Sequence, residues 1–406
     1  MDAKLREPTG LVRRLLAGLP PWAGNLGALA LSGFICLMLL EHVVFRFILK
    51  PDDVLPNVTI NKVVRYYPGT HATFRHPDGT STRATINEDG WNSVKARYAI
   101  ERRKGVYRIA VIGDSYVHAK FVNPREGFPA VLERKLNARG VKSEVYRFGM
   151  DGAPLSQYLH MLRHEVLRFK PDVVIVPLIH NDFDESYRFL RTRYASSFMK
   201  LKRDDEGSVV EIPPADFKPG LSDVLRNLRT FRYLYYQTGL YLTMKDVISR
   251  FYWGGNERYQ PEFISSGVDI RKIADHRKNR FYARYVLREM KALAHAHGVK
   301  LVFVMDAVRE AIYENIAPQK YEVGRLNLIA ADLTRQMDLP FINLQATFAR
   351  DYARHGKRFE FPYDWHWNRR ANRLVAGALT TLLISDPRLL KPEAPKQASM
   401  AQPPSR

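Results

Sequence analysis

The chain has 406 residues, 46% of them hydrophobic and 26% charged, enough for one large domain or two modest ones with a sizeable core. Its formal charge of +21 favours anionic partners, yet the cations fall in short clusters such as Arg102-Arg103-Lys104, Arg271-Lys272 and Arg369-Arg370. With no zinc-finger, helix-turn-helix or RNA-binding signature beside them, they read as a solvated basic surface and no nucleic-acid partner is expected. A lone cysteine, Cys36, excludes an internal disulfide and a cysteine-rich metal site.

In chain order, residues 1–21 form a basic leader with Lys4, Arg6, Arg13 and Arg14. From Trp22 to Leu40 the chain is apolar apart from Asn25 and Ser32. At ~1.5 Å per residue that run reaches ~28 Å, about one bilayer hydrocarbon core. Residues 22–49 are therefore expected to be a transmembrane anchor, Trp22–Leu49, holding the chain in a membrane. A cleaved signal peptide is the alternative, but no small-x-small site follows the run. A small excess of cations before the span leans the amino terminus to the cytoplasm. The expected location is then the bacterial inner membrane, single-pass, with the bulk of the chain periplasmic. Residues 50–104 suggest a β-rich collar, with turns at His76-Pro77-Asp78-Gly79-Thr80 and at Asp89-Gly90.

From residue 105 to 385 the pattern alternates strand and helix. Tyr107–Ile112, Glu144–Phe148, Asp172–Leu178, Val299–Met305 and Pro340–Leu344 are the expected strands, the third nearly all apolar and hence central. Phe128–Ala138, Ser156–Arg168, Phe281–His297, Tyr321–Met337 and Arg369–Ile384 are the expected helices. Residues 184–275 interrupt this as an insertion rich in arginine and aromatic rings: Tyr187, Phe189, Tyr194, Phe231-Arg232-Tyr233-Leu234-Tyr235-Tyr236 and Phe251-Tyr252-Trp253. It reads either as a lid or binding surface or as rings packing a small core of their own. Residues 386–406 are proline-rich and expected to be disordered.

Four short motifs fall at ends of these strands: Gly113-Asp114-Ser115, Phe148-Gly149-Met150-Asp151-Gly152, Ile179-His180-Asn181-Asp182, and Asp364-Trp365-His366-Trp367-Asn368 in the loop before the last helix. In an open α/β sheet they would gather on one rim, where ligands bind. That rim holds what acyl transfer needs. Ser115 is a nucleophile, His366 the base that takes its proton, and Asp364 the group that holds the imidazole. The backbone amides of Ser115 and Gly149 and the side chain of Asn181 can form an oxyanion hole. Singly, each residue has a duller reading. Ser115 can cap a helix, Gly149 can shape a turn, Asn181 can cap a segment, and His366 can pack between two tryptophans. The joint pattern favours the catalytic reading. Asp114, Asp151, Asp182 and His118 are taken as supporting or structural. His160 and His164 stand one helical turn apart but lack the intervening Glu of a metalloprotease helix and an evident third ligand, so no metal and no cofactor is expected.

This pattern resembles the SGNH hydrolase superfamily, or GDSL-type esterases, over Arg108–Asn181 and Phe341–Leu383. The segment Asn87-Glu88-Asp89-Gly90-Trp91-Asn92 is similar to one that precedes the serine block in membrane-anchored bacterial members. The resemblance implies a flavodoxin-like three-layer α/β/α domain with a central parallel five-stranded sheet. It also implies Ser115, Gly149 and Asn181 around the oxyanion and a triad completed by His366 and Asp364. Two departures stand out: Tyr116 replaces the leucine of the GDSL block, and the acid lies two residues before the histidine where many members have three. The Asp-x-His-Trp-Asn form is similar to that of relatives handling O-acetyl groups of cell-surface polysaccharides. The expected function is a membrane-anchored serine esterase or O-acyltransferase acting on acylated carbohydrate of the envelope or an exopolysaccharide, with polysaccharide-assembly proteins as possible partners. A lipid or lysophospholipid esterase is the alternative within the enzymes, and a non-catalytic polysaccharide-binding assembly protein the alternative outside them.

Overall fold

The computed structural model describes residues 21–188, 197–237 and 275–390. The leader up to residue 20, the rings Phe189, Tyr194 and Phe251-Tyr252-Trp253, the Arg271-Lys272 pair and the tail from 391 lie outside them. The described chain divides into two compact units, one made of 21–54 with 219–237, the other of 55–218 with 275–390.

In the first unit a helix runs over Pro21–Leu39 and continues with wider turns through Leu40–Ile48. Over Gly24–Ile48 it is long and apolar enough to cross a bilayer, and Leu26, Leu29, Phe34, Ile35 and Leu37 lie exposed along it. Two short helices, Leu221–Leu225 and Arg229–Arg232, follow, the second running on into a wider turn over Tyr233–Gln237.

The second unit begins with two antiparallel hairpins, β1 (Asn57–Ile60) with β2 (Val63–Tyr66), and β3 (His71–Arg75) with β4 (Ser81–Thr85). Asn61 and Lys62 both have positive φ, the geometry of a tight two-residue hairpin turn. Then come β5 (Tyr107–Gly113), β6 (Ser143–Gly149), β7 (Val173–Leu178), the hairpin β8 (Lys200–Arg203) with β9 (Val209–Ile212), β10 (Lys300–Met305), β11 (Phe341–Asn343) and a last hairpin, β12 (Glu360–Phe361) with β13 (Asp364–Trp367). The central sheet has the order β11-β10-β7-β5-β6, all parallel, with β7 in the middle.

Both faces of this sheet are covered, which is why its strands read as continuous apolar runs rather than as alternating ones. Ala110, Ile112, Val174, Val176, Phe303 and Met305 point to one layer, made of helices Leu155–His164, His276–Ala296 and Gly324–Gln336. Ile109, Val111, Val173, Ile175, Val302 and Val304 point to the other, made of helices Phe128–Asn137, Gln345–His355 and Arg369–Ser385. This is the three-layer α/β/α arrangement expected from the sequence.

The collar shares the first core. Trp91 is fully buried against Phe148, and Tyr98 stacks flat on Tyr146 with ring centroids 4.3 Å apart. Arg65 lies over the Trp91 ring and pairs with buried Glu165 at 2.6 Å. Within the insertion, Phe198, Met199 and Leu201 are buried in the same core, Tyr187 stacks on Tyr282, and Phe231 stacks on Tyr235. Two expectations need correction. The tail was expected to be disordered from 386, but Leu389 and Leu390 are buried against the second layer, their apolar side chains closing its edge. The Asp364–Asn368 stretch was expected to be a loop, and its first four residues are instead a strand, because Glu360–Phe361 pairs with them.

Candidate active site

Strand β5 and its neighbour β7 carry crossovers to opposite faces, so the sheet opens a crevice beyond their carboxyl ends. Ser115 lies there, at the start of a one-turn helix, Ser115–His118. Asp114, not Ser115, caps that helix, its Oδ1 accepting from Tyr116 N at 2.9 Å. Ser115 keeps its hydroxyl for other contacts.

The hairpin β12–β13 supplies the partner. Side chains two apart on a strand share a face, so Asp364 and His366 project together. Asp364 Oδ1 accepts from His366 N at 2.8 Å and lies 2.6 Å from His366 Nδ1. On the far side of the ring, Nε2 lies 2.7 Å from Ser115 Oγ. With Nδ1 donating to the carboxylate, Nε2 is left to accept the serine proton. The serine and the histidine are 251 positions apart in sequence.

Gly149 closes β6, paired with Gly113. A Cβ on it would sit 2.2 Å from the His118 backbone nitrogen, so only glycine lets β6 approach the Ser115 helix this closely. Asn181 is the second residue of helix His180–Glu185, which follows β7. Its side-chain amide carries two N–H donors. All five residues singled out in the sequence therefore lie at the carboxyl rim or on the hairpin that reaches it.

His118 and Asp151 tie the site to the collar. His118 Nδ1 lies 2.6 Å from Asp151 Oδ1 and 2.8 Å from the Tyr66 hydroxyl of β2, and Lys120 Nζ reaches Asp151 at 3.2 Å. Burial works against the Asp151 charge, but His118 and Lys120 outweigh it and hold this carboxyl well below the usual range. His160 Nε2 bonds the Lys62 carbonyl at 2.9 Å, and its ring lies 4.5 Å from that of His164.

The sequence did not point to Arg309. Fully buried, it donates to Trp365 O (2.8 Å), Tyr116 Oη (3.0 Å) and Glu360 Oε2 (3.2 Å), and pairs with Asp306 at 3.3 Å. Trp367 Nε1 donates to the same Asp306 at 2.9 Å. One guanidinium thus clamps both arms of the hairpin to the residue next to Ser115. The sequence signal was an oppositely charged pair, Asp306 and Arg309, set just past the end of an apolar strand.

Behind Ser115 lies a second carboxyl pair. Burial pushes Asp114 up to about 7. Burial, reinforced by the Asp114 charge, pushes Asp182 well above the usual range, although Asp182 accepts from Ile179 N (2.7 Å) and Tyr158 Oη (2.9 Å). A free carboxyl titrates near 4, so the folded chain keeps protons that the unfolded chain has lost. That contribution is complete below about pH 4 and disappears as pH rises through about 7 and beyond. Asn mimics the neutral acid, so Asp182→Asn is expected to lose less stability than wild type between pH 4.5 and 7.5. Urea midpoints at the two pH values measure this, and equal losses in the two proteins would refute it.

The model of the family described as GDSL-like Lipase/Acylhydrolase matches residues 109–379 of this chain. No curated protein matches the sequence. Among solved structures, the acetyl xylan esterase AlAXEase aligns at 15% identity over 68% of this chain and 98% of its own, with a TM-score of 0.37. An acetylxylan esterase from Geobacillus stearothermophilus aligns at 12% identity over 70% and 97%, TM-score 0.38. A lipase/acylhydrolase from Enterococcus faecalis aligns at 14% identity over 68% and 94%, TM-score 0.35.

Proposed function

The chain belongs to the GDSL-like lipase/acylhydrolase family, hydrolases of ester bonds, and from that premise we propose that it is a membrane-anchored serine esterase or O-acyltransferase working through Ser115, His366 and Asp364. What carries this reading is the unbroken run of short hydrogen bonds from Ser115 Oγ through the His366 ring to Asp364. As Ser115 attacks an ester carbonyl, His366 Nε2 takes its proton, and Asp364 stabilises the imidazolium. The backbone N–H groups of Ser115 and Gly149 and the Asn181 amide receive the oxyanion. His366 then protonates the departing alcohol oxygen, leaving the acyl group on Ser115. Water or a sugar hydroxyl, deprotonated by the same imidazole, releases it.

Acyl esters of carbohydrate, acetyl above all, suit the surroundings of His366. Phe121 and Trp365 flank its ring at 5.2 and 5.7 Å, and Phe361, Tyr363 and His76 extend the aromatic surface. Flat apolar faces with polar edges fit the C–H faces of a sugar ring. The apolar helix Gly24–Ile48 supports anchorage in the bacterial inner membrane, and the cations that precede it favour a cytoplasmic amino terminus, hence a periplasmic catalytic unit.

A fluorophosphonate probe tests the site directly. Mass spectrometry is expected to find the adduct on Ser115, with p-nitrophenyl acetate cleaved faster than long-chain esters. An adduct elsewhere, or none in active protein, would overturn the assignment. Asn181→Ala is expected to lower kcat by about 10²–10³, the usual cost of one oxyanion donor, with KM little changed.

A further inference from the structure

The far end of the apolar helix is not bare. The uncharged run ends at Leu40, and the next residue, Glu41, is the helix's first charged group. If this helix crosses a bilayer, its uncharged run from Pro21 to Leu40 matches the ~30 Å hydrocarbon core and leaves Glu41 at the boundary. A carboxylate at that depth is costly unless it is bonded. Glu41 accepts from Arg229 N and Thr230 N at 2.8 Å each and from Thr230 Oγ1 at 2.9 Å, and its own side chain is only 9% exposed. It caps the helix Arg229–Arg232 from another part of the chain. One turn further on, Phe45 packs against Tyr233 with ring centroids 4.9 Å apart. Arg232 then donates to the Asp52 carbonyl at 2.7 Å. The segment is thus pinned to the helix at the level where hydrocarbon gives way to headgroups.

The same segment displays large apolar side chains. Leu221 is 75%, Val224 58% and Leu228 45% exposed. Arg226 and Arg229 stand among them, their cations within 4 Å of Asp223 and Glu41. Exposed leucine and valine interspersed with arginine, fixed at bilayer-surface depth, is the composition of an interfacial segment. We infer that residues 221–233 lie in the headgroup–acyl boundary of the bilayer that the helix crosses, with Leu221, Val224 and Leu228 immersed in lipid. This rests on the reading of Gly24–Ile48 as a membrane span. It adds a second contact, which would stop the anchor from turning freely about its own axis.

The test uses the full chain with Cys36→Ser, reconstituted in vesicles of three parts phosphatidylcholine to one part phosphatidylglycerol. Single cysteines at Val224→Cys, Leu37→Cys and Lys357→Cys carry an environment-sensitive fluorophore, and spin-labelled lipid is the quencher. The probes at 224 and 37 are expected to be blue-shifted and quenched severalfold more than the one at 357, which reports the solvent-exposed baseline. A probe at 224 that behaves like 357 while 37 is quenched would overturn the interfacial contact and leave the span intact. A probe at 224 that is blue-shifted yet untouched by the lipid quencher would show protein covering the segment, and would also overturn it. A probe at 37 that escapes quenching would remove the span itself, and the inference with it.

Discussion

Ser115→Ala is expected to lower kcat by about five to six orders of magnitude, the scale seen when a serine nucleophile with a paired base is removed. The fold is expected to survive, because Asp114 caps the short helix and the serine hydroxyl's short contact is to His366 alone, Asp114 Oδ2 being 3.4 Å away. The loss should therefore fall on activity with the urea midpoint nearly unchanged. His366→Ala should cost a comparable amount, and the double variant little more, because the two groups act as one unit. Release of p-nitrophenol from the acetate ester is the measurement. Full additivity, or near-normal activity in Ser115→Ala, would show that the two side chains do not work together.

The second large effect belongs to Arg309. Arg309→Met is expected to destabilise the fold by about 3–5 kcal/mol, because it takes away the cation paired with the fully buried Asp306 carboxylate and one of the two arginines paired with Glu360. Burial raises the energy of the Glu360 charge, yet Arg309, Tyr313 and Arg358 together keep this carboxyl below its usual range. Removing Arg309 takes away the largest of these and leaves Tyr313 and Arg358 to hold the charge. The hairpin β12–β13 also loses its tie to Tyr116, so kcat should fall more than KM rises. Asp306→Asn in the same chain should recover part of the stability, because it removes one stranded charge. A variant with wild-type urea midpoint would mean the clamp contributes nothing. Normal kcat in a destabilised variant would mean that it braces the fold without positioning the histidine.

The sheet and the five candidate residues were legible because their signals are local. A strand buried on both faces must be apolar throughout, so Val173–Leu178 declares itself. A glycine at a strand's end and a Gly-Asp-Ser block closing an apolar strand are likewise visible in the chain. Helix Gln345–His355 went unread because Phe348 is its only fully buried side chain, leaving a faint apolar stripe. The hairpin that carries Asp364 and His366 was hidden for another reason. Its first strand is two residues long, followed by Pro362, and pairing of that length leaves no periodicity. The role of Arg309 was hard to read because, apart from nearby Asp306, its partners at 116, 360 and 365 meet it only when the polypeptide has folded.

The span of 251 residues between the hydroxyl and its imidazole also bears on biosynthesis. At roughly 5–20 residues per second, a ribosome makes the nucleophile some 13–50 s before its base. Until then the serine is an ordinary alcohol. On the triad proposed above, the unfinished polypeptide is then inert toward esters.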